Sequence, residues 1–203
     1  MMRLLLVRHG QSVWNAGRIL QGQADIPLSD LGREQAAALS DTVQGLRPQR
    51  ILVSDLKRTR ETAELLGFPE HEVESGLREI DVGDWTGQYI DDLVAADVEA
   101  YQGWRAGTYT PPGGESWGLF KDRTAGVVSK LQRPAAGTVL MVAHGGVIRA
   151  LLESLLDLSP ARIVPVGPAS MTVLRLGPPN GKADVRLEVF NYTPKAPVFD
   201  APD

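Results

Sequence analysis

Three short apolar runs, each closed abruptly by a polar segment, do most to limit what this 203-residue chain can fold into. Leu4-Leu5-Leu6-Val7 runs into Arg8-His9-Gly10. Arg50-Ile51-Leu52-Val53 runs into Ser54-Asp55-Leu56-Lys57-Arg58, and Thr138 to Ala143 runs into His144-Gly145-Gly146. Continuous rather than alternating apolar residues mark strands covered on both faces, as in a parallel sheet between helices.

Helical patterns fill the intervals. Leu31, Leu39, Val43 and Leu46 predict a helix over 30–46 with Ser29 or Asp30 as N-cap, and a second helix over 56–66 stops at Gly67 and Pro69. Two short helices are expected over 89–96 and 97–106. A further helix is expected over 116–132, after the break at Thr110-Pro111-Pro112-Gly113-Gly114, and another over 147–156. Strands fit 170–176 and 185–190, and Gly177-Pro178-Pro179-Asn180-Gly181 between them favours a hairpin. Segments 10–27 and 77–87 read as loops. The sum is an α/β fold, a layered αβα arrangement with a mostly parallel central sheet carrying an antiparallel strand. One domain over 1–203 is expected, with 88–115 as a small helical cap and 194–203 as a loose tail.

A net charge of -4 gives no general attraction to nucleic acid or anionic lipid, so an anion site must be built locally. Cysteine is absent, which removes disulfides, thiolate zinc sites and cysteine nucleophiles, and suits a reducing cytoplasm. The apolar run near the N-terminus is closed by Arg8, too short for a signal or a membrane span.

In a parallel sheet the carboxyl ends of the strands share one edge, so the three polar segments are expected to meet there. That brings together His9, His144, Arg8 and Arg58. Guanidinium forks match phosphate oxygens, and a helix starting near Val147 would add its amide N–H groups to the same anion. A neutral imidazole is a competent nucleophile toward phosphorus, and a carboxylic acid can protonate the departing alkoxide. Glu79, in the glycine-rich segment Leu77 to Gly87, is the foremost candidate for that acid, ahead of Asp81 and Asp84.

The blocks Arg8-His9-Gly10-Gln11-Ser12-Val13-Trp14-Asn15, Ser54 to Thr59, Leu77 to Gly87 and Ala143-His144-Gly145-Gly146 together resemble the histidine phosphatase superfamily, the phosphoglycerate mutase-like proteins, over about residues 3–156. Within it, Gln21-Gly22-Gln23, Gly83-Asp84-Trp85 and Gly113-Gly114-Glu115-Ser116 are most similar to actinobacterial glucosyl-3-phosphoglycerate phosphatases, and ribazole and broad-specificity phosphatases share the same blocks. The resemblance implies His9 as the phosphorylated nucleophile, Glu79 as general acid, and Arg8, Arg58 and His144 as a phosphate clamp. It further implies that Asn15, Gln21, Gly22 and Gly145 contact phosphate or substrate. A phosphomonoesterase acting on a small phosphate ester without metal or other cofactor is expected. The alternatives are a phosphoglycerate mutase and an inactive phosphate-ligand binding module. Gly145-Gly146-Val147, where mutases carry a Gly-Asn-Ser type of turn, favours the phosphatase. No nucleic-acid or membrane partner is expected; a homodimer is compatible with the sequence, which does not fix the oligomeric state.

Competing motifs are weaker. Gly114-Glu115-Ser116-Trp117-Gly118 matches the nucleophile elbow of serine hydrolases, but Pro111-Pro112-Gly113 precedes it where that motif needs a strand, so Ser116 reads as a helix N-cap. Arg8 and Arg58 would repel a cation from between the histidines. Gly177 to Lys182 departs from the phosphate-loop spacing. His71 reads as a solvated loop residue, and Trp14, Trp85, Trp104 and Trp117 as packing residues.

Overall fold

The computed structural model describes residues 1–131, 137–177 and 184–195. In chain order its strands are β1 (Met2–Arg8), β2 (Arg50–Val53), β3 (Glu72–Val73), β4 (Gly137–Ala143), β5 (Met171–Leu176) and β6 (Val185–Tyr192). Its helices are α1 (Val13–Ala16), α2 (Asp30–Gly45), α3 (Lys57–Leu65), α4 (Ile90–Ala96), α5 (Val98–Ala106), α6 (Trp117–Leu131) and α7 (Gly145–Leu156). The sheet order is β3-β2-β4-β1-β5-β6. All neighbours through β1 pair in parallel, while β5 runs against both β1 and β6, so one strand is reversed in an otherwise parallel sheet.

Alternate side chains of β1 go to opposite faces, as the pleat requires. Leu4 and Leu6 join a core with Met141, Phe120, Ile148 and Leu151, and Leu5 and Val7 join another with Leu39, Val43, Ala63 and Leu140. Helices therefore cover both faces, which is why the apolar runs are continuous. Registers Val7↔Val142 and Val53↔Val142 bring the carboxyl ends of β2, β4 and β1 level on adjacent strands.

Local chemistry places the helix starts. Ser29 Oγ accepts the Gly32 N–H at 3.1 Å, and Asp97 Oδ1 accepts the Ala100 N–H at 2.9 Å. Ser116 Oγ accepts the Leu119 N–H at 3.3 Å, the N-cap role expected of it. The segment after β1 lies directly on the first turn of α2, backbone against backbone. A Cβ on Gly10 would run into the Gly32 carbonyl, and one on Gly32 into the Gln11 carbonyl.

Several boundaries differ from expectation. Segment 10–27 is not all loop: α1 is one turn, closed by a capping box between Ser12 and Asn15. Strand β3 carried no sequence signal because its two residues, Glu72 and Val73, are both exposed at the sheet edge. α7 begins at Gly145 rather than Val147, with His144 as N-cap. Of the turn expected at 177–181 and the tail expected at 194–203, residues 178–181 and 196–203 lie outside the described residues, as does the final residue expected of the helix over 116–132.

Candidate active site

The three strand ends meet as the sheet topology requires. His9 follows β1, its backbone N–H donating to the Ala143 carbonyl at 3.0 Å and its own carbonyl accepting from Ala169 at 3.0 Å. The Gly10 N–H donates to Thr62 Oγ1 at 3.1 Å. The imidazole is thus carried on backbone held from β4, from the segment before β5 and from α3.

His9 Nδ1 lies 2.6 Å from the Gly10 carbonyl, an acceptor only, so the ring proton belongs on Nδ1 and the lone pair on Nε2. Burial, then the charges of Arg58 and Arg8, hold this imidazole well below the ordinary histidine value of 6.5. Arg58 Nε donates to His9 Nε2 over 3.3 Å. The remaining Arg58 nitrogens are held by the carbonyls of Ala24 (2.7 Å) and Gly22 (2.9 Å), so the loop before α2 aims this side chain. Burial lowers its pKa to about 10, which leaves it cationic at neutral pH. Arg8 is anchored by Nη1 donating to the Val166 carbonyl at 2.6 Å.

His144 stands behind His9, ring centroids 5.2 Å apart and edge to face. Its Nε2 lies 3.0 Å from Ser54 Oγ, at the end of β2, and its Nδ1 is buried with no hydrogen-bond partner. Burial and then Arg58 lower its pKa well below 6.5 as well. A neutral His144 ring adds no further cation beside Arg8 and Arg58.

Glu79 closes the opposite wall. Its Oε1 accepts the Ile80 N–H at 2.9 Å and its Oε2 the Gly146 N–H at 3.0 Å. Burial raises its pKa above the ordinary 4.5, overriding those two amides and the nearby Arg58 and Arg8. The α7 amide at Gly146 therefore meets Glu79. Arg123 fixes the Glu79 segment from α6: it pairs with Glu115 at 2.7 Å and donates to the carbonyls of Gly76 (2.9 Å) and Arg78 (3.0 Å). Arg78 in turn pairs with Asp55 at 2.6 Å.

Several of these groups gather around a partly enclosed cavity. Arg8, His9, Gln21, Gly22, Arg58, Glu79 and Gly145, named above as candidates, all line it. Asn15 and His144 belong to the layer behind. Asn15 is buried in the α1 capping box, where Ser12 Oγ lies 3.1 Å from Asn15 Oδ1 and 2.6 Å from Gln21 Oε1. The wall also includes Gly146 and Arg149, together with Trp104 and Trp117, which the sequence suggested as packing residues and which also border the cavity. Arg149 was findable: it follows Gly145 by four residues, the spacing of one helix face.

A model of the histidine phosphatase superfamily (branch 1) matches residues 4–187. This chain belongs to that superfamily. As a histidine phosphatase it is 40% identical over 212 residues to the glucosyl-3-phosphoglycerate phosphatase of Mycolicibacterium vanbaalenii, spanning 93% of this chain and 94% of that one. It is 37% identical over 168 residues to the probable phosphoglycerate mutase GpmB of Salmonella paratyphi C, spanning 78% of this chain and 76% of that one. Among solved structures, the mycobacterial glucosyl-3-phosphoglycerate phosphatase complexed with VO3 superposes with a TM-score of 0.86 at 36% identity, covering 94% of this chain and 99% of the other. Membership carries hydrolase chemistry on phosphate esters in general.

Proposed function

We propose that the chain is a metal-independent phosphomonoesterase that works through a phosphohistidine at His9, with glucosyl-3-phosphoglycerate as its substrate. The observation that carries this reading is the Nδ1 contact with the Gly10 carbonyl, which leaves a neutral Nε2 lone pair at a cavity lined by Arg8 and Arg58 among others. On substrate binding a phosphoryl oxygen takes the Arg58 N–H that meets Nε2 in the free protein. Nε2 attacks phosphorus, the bond to the ester oxygen breaks, and the departing alkoxide takes the proton from the Glu79 carboxylic acid. Water then attacks the phosphohistidine, gives its proton to the Glu79 carboxylate and releases inorganic phosphate, restoring His9. Arg8 and Arg58 spread the charge of the transferring group, and His144 supports it through Nδ1.

The substrate assignment rests on similarity to the mycobacterial phosphatases over nearly the whole chain. Similarity to GpmB favours a second reading, phosphoglycerate mutase. Incubation with glucosyl-3-phosphoglycerate and EDTA should release inorganic phosphate, and His9→Ala should abolish the release. Activity surviving in that variant would sink the mechanism. Interconversion of 2- and 3-phosphoglycerate without phosphate release would select the mutase instead, and no turnover of any ester would select the inactive binding module.

A further inference from the structure

Ser54 follows the last residue of β2, and its backbone is held from two sides. Its N–H donates to the Val142 carbonyl of β4 at 3.1 Å, and its carbonyl accepts from Thr59 Oγ1 on α3 at 2.8 Å. The side chain is fully buried. Among the described residues its Oγ has two hydrogen-bonding neighbours, the Leu56 N–H at 3.5 Å and His144 Nε2 at 3.0 Å. The Leu56 amide is a donor and takes a lone pair of the hydroxyl, so His144 Nε2 is the acceptor within reach of the Ser54 proton. His144 is equally buried, and its Nδ1 has no partner among the described residues.

The two tautomers of His144 differ in what they leave unmet. With the proton on Nε2 the ring would donate to Ser54 Oγ, the Ser54 proton would have no acceptor, and Nδ1 would present a lone pair with no donor. With the proton on Nδ1, Ser54 donates to Nε2 and the Nδ1–H alone is unmet. Buried polar groups without partners are costly, so the second arrangement is favoured. An unmet buried N–H is also what a phosphoryl oxygen would satisfy, whereas a bare lone pair would repel it. The ring that carries it stands edge to face with His9, 5.2 Å away between centroids. We propose that Ser54 is a positioning residue that holds His144 in the Nδ1–H tautomer, so that the ring offers a donor to the phosphoryl group passing to and from His9. This inference rests on the phosphohistidine reading above and adds to it the residue that sets the state of its second histidine.

The tautomer is read directly from long-range 1H–15N correlation spectra of protein labelled with 15N-histidine. The chain has three histidines, and comparison with His71→Gln and His9→Ala identifies the His144 signals. The unaltered protein should show His144 protonated at Nδ1. Ser54→Ala should move the signals toward the Nε2–H pattern that free histidine prefers, and Ser54→Thr, which keeps the hydroxyl, should retain Nδ1–H. In turnover, kcat of Ser54→Ala should fall by roughly 5- to 30-fold, equally on alkyl phosphates and on p-nitrophenyl phosphate because the phosphoryl group is common to both, with most of it restored in Ser54→Thr. Nε2–H in the unaltered protein overturns the proposal. So does an unchanged tautomer or an unchanged kcat in Ser54→Ala, a loss confined to alkyl phosphates, or a folded threonine variant that behaves as the alanine one. Should the variants fail to fold, the tautomer of the unaltered protein decides. An unaltered protein that hydrolyses no ester would instead remove the phosphomonoesterase reading, while the spectra would still show whether Ser54 sets the tautomer.

Discussion

The backbone N–H of Gly146 donates to Glu79 Oε2 across 3.0 Å, so the first turn of α7 holds the carboxyl group proposed to protonate the leaving group. A Cβ on Gly146 would overlap Glu79 Oε1, so a side chain there fits only if the carboxyl moves. Gly146→Ala should therefore displace the carboxyl while leaving His9 in place. Turnover of alkyl phosphates should fall by roughly 10²- to 10⁴-fold, the usual worth of a positioned acid. With p-nitrophenyl phosphate, whose leaving group needs no proton, the loss should be much smaller. Equal losses on both esters would argue against the acid role.

The pH profile follows from two shifts. His9 attacks only when neutral, and its lowered pKa keeps it neutral as the pH falls past 6.5, so the acid limb of kcat/KM should lie below that value. Glu79 donates only when protonated, and activity on alkyl esters should fall as the pH rises through its raised pKa, at a pH above the ordinary carboxyl value of 4.5. Glu79→Gln should remove the alkaline limb and leave the acid one. An acid limb at or above pH 6.5 would contradict a neutral buried His9.

Arg123 does not itself line the cavity, yet its contacts with Glu115 and with the carbonyls of Gly76, Arg78 and Glu79 hold the Glu79 segment against α6. Arg123→Met should destabilise the fold by about 2–3 kcal/mol, since hydrogen bonds to charged groups are lost at a half-buried site. It should also lower kcat more than it raises KM. Urea denaturation together with steady-state kinetics would read both effects.

Gly32→Ala forces a Cβ against the Gln11 carbonyl, where only backbone can give way. A loss of about 1–3 kcal/mol is expected from such overpacking, accompanied by reduced activity because Gln11 lies two residues beyond His9. Thermal unfolding checks the first part.

Ser116→Ala removes an N-cap and should lower stability by about 1 kcal/mol. Phosphatase activity should be unchanged, and no carboxyl esterase activity should exist to lose. Ester hydrolysis that vanished in this variant would revive the serine-hydrolase alternative.

Much of the fold was legible because the signals are long or strongly patterned. The runs ending at Val7, Val53 and Ala143 are apolar without alternation since each strand is covered twice, and the level registers follow from the parallel arrangement. Glu72–Val73 gave no signal because a two-residue edge strand buries nothing. In the site, Arg8, His9 and Arg58 were found through the polar segments that close the strands. The partner of Glu79 was not, because a contact between residues 79 and 146 depends on where α7 starts, and Gly145 and Gly146 are poor helix formers that tertiary packing overrules. The apolar wall from Leu20 to Trp117 was equally hidden, since nothing local separates a tryptophan that lines a cavity from one that fills a core.

Strand β1 lies in the interior of the sheet, hydrogen-bonded to β4 on one side and β5 on the other. Amides so placed are the last to exchange with solvent, and partial openings that release the edges at β3 or β6 leave such a strand intact. His9 hangs from its final residue. The proposed nucleophile is therefore carried by the portion of the molecule that opens only when everything opens, and transient fraying at the periphery would leave the geometry around Nε2 undisturbed.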